Sequence, residues 1–288
     1  MKRFFLFILI CVGNFQFVDA QLLWKITASG VDKPSYLLGT HYLVPMVYLD
    51  SVKGLANAFN ECDAVVSEVI ANNIDASTLL RKVAFIQGGQ TLKDLISEED
   101  YPLADKALKS ELKIGLKELS KMYPTFILRL YEIELFKKLT GIYDDAQTDS
   151  YFQLAALQKD KKIIALETVE QQVQLSLDQN DLQRHANQLT KALLNRDSLS
   201  NELIKIGKLY KGGNINDFAL LAKIRTQADV ALNGISTIEM RNSEWLKKLP
   251  DYIKAQSCFI TVNIEHLAGE NGLINGLKQA GYKVKAVE

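Results

Sequence analysis

CFITVNIEHLAGENGLINGLKQAGYKVKAVE, residues 258–288, decides the fold class. CFITVNI (258–264) is a short apolar run with β-branched residues and reads as a strand. After a glycine-bearing turn, Leu273, Leu277 and Ala280 recur at helical spacing, and KVKAVE (283–288) is again strand-like. A strand, helix, strand unit of this length favours parallel pairing of its strands with a right-handed crossover.

Working outward, four further short apolar runs bounded by turn residues read as strands: LLWKITAS (22–29), SYLLGT (35–40), AVVSEV (64–69) and KIIALE (162–167). Gly30 and Pro34 suit a hairpin turn between the first two. The stretches on either side of KIIALE carry helical periodicity instead. Pro124 opens TFILRLYEIELFKKLTG at a favourable first-turn position and Gly141 stops it. Asp149 is placed to cap SYFQLAALQKDKK, and Thr168 with Gln171 resembles a capping box for VEQQVQLSL. LQRHANQLTKALL and SLSNELIKIGKLYKGG add two amphipathic helices, the second stopped by Gly212 and Gly213. The expected class is α/β (α+β): a central mixed sheet built from both chain ends, with an inserted helical lobe from about residue 75 to about residue 250.

The first twenty residues, MKRFFLFILICVGNFQFVDA, have a basic start at Lys2 and Arg3, an apolar core from Phe4 to Val12, and Val18-Asp19-Ala20 before Gln21. This is the pattern of a secretory signal peptide, too short in its apolar part to span a bilayer. Residues 21–288 are then expected to be one exported domain, periplasmic or extracellular, with no integral membrane segment after cleavage. The full chain carries 34 basic and 34 acidic side chains. Losing Lys2, Arg3 and Asp19 leaves the balance within one charge of neutral, so no footprint for nucleic acid is present. Cys62 and Cys258 each lie at the start of a strand run; they either pair in an oxidising compartment or remain separate buried thiols.

Histidines are few. His41 and His266 lie just beyond the carboxyl ends of expected strands, where open α/β sheets place ligand sites. His185 falls on an amphipathic helix among Gln183, Arg184 and Asn187 and reads as exposed. Glu68 closes AVVSEV, and a carboxylate after four apolar strand residues must be paired or belong to a site, because burying it alone is costly. One glutamate and two histidines at strand ends outline a divalent-metal site, imidazole and carboxylate being usual first-row ligands; scattered structural residues are the plainer alternative.

Four stretches carry a family resemblance. LLWKITASGVDKPSYLLGTHYLVP (22–45), ALETVEQQV (165–173), MRNSEWLKKLP (240–250) and FITVNIEHLAGENGLINGLKQAGYKV (259–284) resemble, in order, segments of the TraB/PrgY/GumN family, which includes the TIKI metalloproteases. The resemblance covers nearly all of residues 21–288. It implies two Gly-x-x-His motifs and a glutamate that bind a divalent metal, Mn, Co or Zn, and activate water for hydrolysis. Carried over, the glutamate is Glu68 and the second histidine is His266. In the first motif, Gly39-Thr40-His41-Tyr42 sets tyrosine where the family has histidine and leaves His41 at the variable position. If the chain is extended there, His41 and Tyr42 point to opposite faces and one does not replace the other. The second motif, Asn263-Ile264-Glu265-His266, begins with asparagine, and the family glycine at that point suits a positive φ or a close approach. Arg241 and Asn242 match the Arg-Asn segment. Arg241 either holds a substrate or Glu68, or braces the helices, while Glu167 reads as a salt-bridge or cap residue, with a catalytic role as the alternative.

A catalytic zinc site normally has three protein ligands, and Glu68 with His266 supplies two. Tyr42 is a poor third at neutral pH. Two functions follow. One is an exported metal-dependent hydrolase acting on a peptide or other small substrate, with Glu68, His266 and Arg241 catalytic and Glu68, His266, His41 and Tyr42 at the metal. The other is a catalytically inactive binding or regulatory protein on the same fold.

Overall fold

The computed structural model describes residues 22–70, 83–144, 148–176, 181–225 and 236–287; the expected signal peptide lies outside them. Every apolar run read as a strand forms one: β1 (Leu23–Thr27), β2 (Ser35–Thr40), β3 (Ala64–Ser67), β4 (Lys162–Ala165), β5 (Cys258–Asn263) and β6 (Lys283–Ala286). They make one mixed sheet in the order β4-β3-β5-β2-β1-β6. β4, β3, β5 and β2 run parallel, whereas β1 is antiparallel to both β2 and β6.

Burial follows this division. The inner parallel strands β2 and β3 are buried at every residue and β5 at all but its last, as expected for parallel strands covered on both faces. β1 and β6, on the antiparallel side, interleave buried with more exposed positions. The expected pairing within residues 258–288 is not made. β5 and β6 point the same way but are separated by β2 and β1, and β6 pairs with β1 instead, Ile26 facing Val284. The amino-terminal hairpin therefore sits inside the carboxyl-terminal unit.

The helix α1 (Leu55–Glu61) links β2 to β3, and α2 (Leu92–Leu95), α3 (Asp100–Leu112), α4 (Pro124–Thr140) and α5 (Thr148–Gln158) lie between β3 and β4. Between β4 and β5 come α6 (Val169–Ser176), α7 (Leu182–Leu194), α8 (Arg196–Gly212), α9 (Ile215–Arg225) and α10 (Thr237–Ala255), and α11 (Leu273–Gln279) joins β5 to β6. β4 thus returns to the sheet in the middle of the helical interval. Gly141 ends α4 at φ 70° with its N–H on Lys137 O, a left-handed stop that glycine takes without a Cβ penalty. The reciprocal Thr168–Gln171 bonds, at 2.9 and 3.2 Å, form the expected capping box. α5 already begins at Thr148, one residue before Asp149.

His185 is buried, contrary to the sequence reading. It shares the apolar face of α7 with Leu182, Ala186 and Leu189, and its Nδ1 lies 3.1 Å from Thr125 Oγ1 on α4. Spacing of three residues to Leu182 and four to Leu189 sets it on that face, and packing against α4 buries it. Cys62 and Cys258 are both buried free thiols. Burial pushes each thiol up to about 12, so neither is a competent nucleophile at neutral pH. Among the described residues, no helix is long and apolar enough to cross a membrane.

Candidate functional site at the carboxyl edge of the parallel strands

Four parallel strands end at one edge of the sheet, and the residues that follow them meet there. Ser67 at the end of β3 is in register with Ala165 of β4 and Thr261 of β5. Glu68 follows directly, and the Glu167 N–H donates to its carbonyl at 3.0 Å. The Glu68 carboxylate accepts the Asn263 backbone N–H through Oε1 at 2.8 Å and the Gln172 amide through Oε2 at 3.0 Å.

Arg241, on α10, closes the cluster. Its Nη2 stands 2.6 Å from Glu68 Oε2 and 2.6 Å from Glu167 Oε1, its Nε 3.1 Å from Glu167 Oε1, and its Nη1 3.1 Å from His266 Nε2. One planar guanidinium thus joins the ends of β3, β4 and β5, a fork geometry that lysine lacks. Side-chain exposure is only 10 % for Arg241, 15 % for Glu68 and 6 % for Glu167. Trp245 donates its Nε1 to Glu167 at 3.1 Å and lies under the guanidinium, 4.6 Å from ring centre to Cζ.

The imidazole tautomer follows from its partners. An arginine only donates, so Nε2 of His266 accepts and the proton sits on Nδ1, which donates to Asn242 Oδ1 at 2.7 Å. The Asn242 amide nitrogen in turn donates to the carbonyls of His266 and Asn271. Burial, opposed by Glu68 and reinforced by Arg241, lowers the imidazole to about 3, so it is neutral. For Glu68 burial acts upward, but the attraction of Arg241 and the Asn263 N–H outweigh it and hold the group below the usual carboxylate range.

Asn263 has an extended backbone at φ −54°, and its side chain accepts the Glu265 N–H at 3.0 Å, capping the 3-10 turn Ile264–His266. The positive φ that a glycine could permit at this point is not used. An asparagine cap of the turn that presents His266 is a favourable use of the residue. Gly39 is different. A Cβ there would lie 3.0 Å from side-chain atoms of Ile264 and Leu267, and the carbonyl of Gly39 accepts the Tyr210 hydroxyl at 2.7 Å. Gly39→Val is expected to cost about 1–3 kcal/mol through overpacking, read as a lower urea midpoint at unchanged slope; a neutral result would mean that β2 can move away from the turn.

The two other expected ligands go elsewhere. β2 ends at Thr40, and His41 to Val44 form a turn closed by Val44 N–H to His41 O at 3.0 Å. The premise of extended backbone at Tyr42 is therefore corrected. Tyr42 donates its hydroxyl to Glu132 Oε2 at 2.7 Å, with Arg129 4.6 Å over its ring, so it faces α4. His41 is buried beside Phe218, ring centres 6.1 Å apart, and its Nδ1 accepts the Leu43 N–H at 3.3 Å. Among the described residues, no group of three or more His, Cys, Asp or Glu is arranged to hold a metal ion. Glu68 and His266 converge, but on Arg241; with the Tyr42 hydroxyl turned to α4, the four expected residues as arranged do not fit a three-ligand metal centre.

Sequence reading located Glu68, His266 and Arg241, and the structure joins all three. It missed Gln172, Trp245 and the Asn263 N–H; Glu167 makes the salt bridge read for it, with Arg241, and also accepts the Trp245 Nε1. Trp245 was findable, because it lies one helical turn from Arg241 and so on the same stripe of α10.

A family model described as the TraB/PrgY/gumN family matches residues 22–286. No curated protein and no solved structure gives a significant match.

Proposed function

The chain belongs to the TraB/PrgY/gumN family, and from that premise we propose that it is an exported binding or regulatory protein whose strand-end site is organised by its own arginine. One observation carries this reading: Arg241 engages Glu68, Glu167 and His266 together. The guanidinium supplies a fixed positive charge where the family resemblance leads one to expect a metal. Its N–H groups are directed to protein acceptors, so the cluster's work is to hold three strand ends rigid beneath a ligand surface.

The second reading is a metal-dependent hydrolase acting on a peptide or other small substrate. It is favoured by Glu68 and His266 lying within hydrogen-bond reach of the same guanidinium, which keeps the two carried-over ligands together.

Purified protein titrated with Mn, Co or Zn separates the two. The binding reading expects no saturable uptake at micromolar metal and no turnover of a peptide library; metal-dependent turnover would establish the hydrolase instead. Tyr42→His returns an imidazole to the first motif. Because residue 42 faces α4, the binding reading expects no change in metal affinity; a gain of about ten- to hundredfold, the scale on which single partners tune metal sites, would favour the hydrolase instead. Loss of an activity that the parent possesses would sink the binding reading.

A further inference from the structure

Beyond the Arg241 cluster, the turn after β2 and the outer face of α4 enclose a cavity of about 200 Å³. Its walls include Tyr42, Leu130, Ile133, Phe136 and Ile142, and Lys137 stands at its side. Phe136 is buried, whereas Leu130 is 43 % exposed, so the cavity has an apolar wall that reaches the surface. Lys137 is held by Glu134 at 2.8 Å and Tyr42 by Glu132 at 2.7 Å.

We propose that this cavity is a subsite for one leucine- or phenylalanine-sized side chain of a bound peptide. Size selects that occupant. An apolar cavity of about 150 Å³ accepts benzene, while sites for drug-sized ligands begin near 300 Å³. Glu134 and Lys137 pair on its wall and Asp144 adds one acidic group, so the wall disfavours an anionic ligand and suits the neutral amides on either side of an anchoring residue. An apolar anchor in a pocket with polar surroundings is the usual centre of a peptide interface. The position fits as well. Tyr42 is two residues beyond Thr40, whose register partner Asn263 holds Glu68, so a peptide seated here would lie at the same sheet edge as the Arg241 cluster. The assignment is independent of whether that cluster binds metal.

The test uses methyl NMR spectra of the purified protein, with N-acetyl-leucinamide, N-acetyl-phenylalaninamide and N-acetyl-glycinamide as probes. The first two are expected to shift the methyls of Leu130, Ile133 and Ile142 saturably and to compete with one another, with glycinamide at least about tenfold weaker, equivalent to about 1.4 kcal/mol. Leu130→Trp, at a half-exposed position, fills the cavity and should reduce leucinamide binding at least tenfold. Should that variant fail to fold, competition between the two apolar probes in the parent carries the result. Shifts confined to other methyls, no saturation, or an equal response to glycinamide would overturn the assignment.

Discussion

Replacing Arg241 by alanine is expected to destabilise the fold by about 3–5 kcal/mol, the cost of leaving buried charges without their partner. Glu68 and Glu167 would stay at the sheet edge, each having lost a contact of 2.6 Å, and His266 Nε2 would lose its donor. For a chain of this size the melting temperature should fall by roughly 10 °C. Arg241→Lys restores the charge but not the three-way fork and should recover only part of the loss. The combination Arg241→Met, Glu68→Gln and Glu167→Gln should recover much more, because it removes the stranded charges as well. Urea unfolding of the three proteins measures this series. A loss below about 1 kcal/mol for Arg241→Ala would mean that water, and not the guanidinium, satisfies the carboxylates.

The second large effect is on acid stability. His266 titrates near 6.5 in an unfolded chain but only near about 3 when folded. Between those values the unfolded state binds the extra proton, so stability falls as pH falls. The slope is about 1.4 kcal/mol per pH unit, reaching about 2.7 kcal/mol by pH 4.5. Glu68 acts in the same direction but lower. Its folded value lies below the ordinary 4.5, so its contribution is present above that value and is lost as pH falls further toward the folded one. Urea unfolding at pH 7.5, 5.5 and 4.5 should show the parent losing about 2–3 kcal/mol more than His266→Gln. That variant keeps an acceptor for Arg241 and has no imidazole to protonate, so other titrating groups cancel in the comparison. Equal losses in both proteins would show that His266 takes its proton without unfolding.

Both effects trace to a site that was half legible in the sequence. Glu68 and His266 were visible because each follows an apolar run, and a polar residue at a strand end needs a partner. Arg241 was open to Glu68 only as one of several roles, and its simultaneous hold on Glu167 and His266 was not visible, since the guanidinium comes from a helix 173 residues after Glu68 in the chain. Local periodicity carries no information about such a separation. The same limit hid the direction of Tyr42, which depends on the turn at His41 and on Glu132 of α4 ninety residues away.

By itself the sequence determined the six strands, both ends of α4, the start of α6, the stop of α8, the α/β class, and which strand-end residues had to find partners. These follow from periods of two and 3.6 residues and from the backbone preferences of glycine, proline and capping side chains, all of which act within a few residues. Only the tertiary structure decided that β6 pairs with β1, that His185 is buried against α4, and that Arg241 holds the two carried-over residues. Those outcomes depend on which surfaces meet when the sheet closes over its helices, and long-range packing alone settles them.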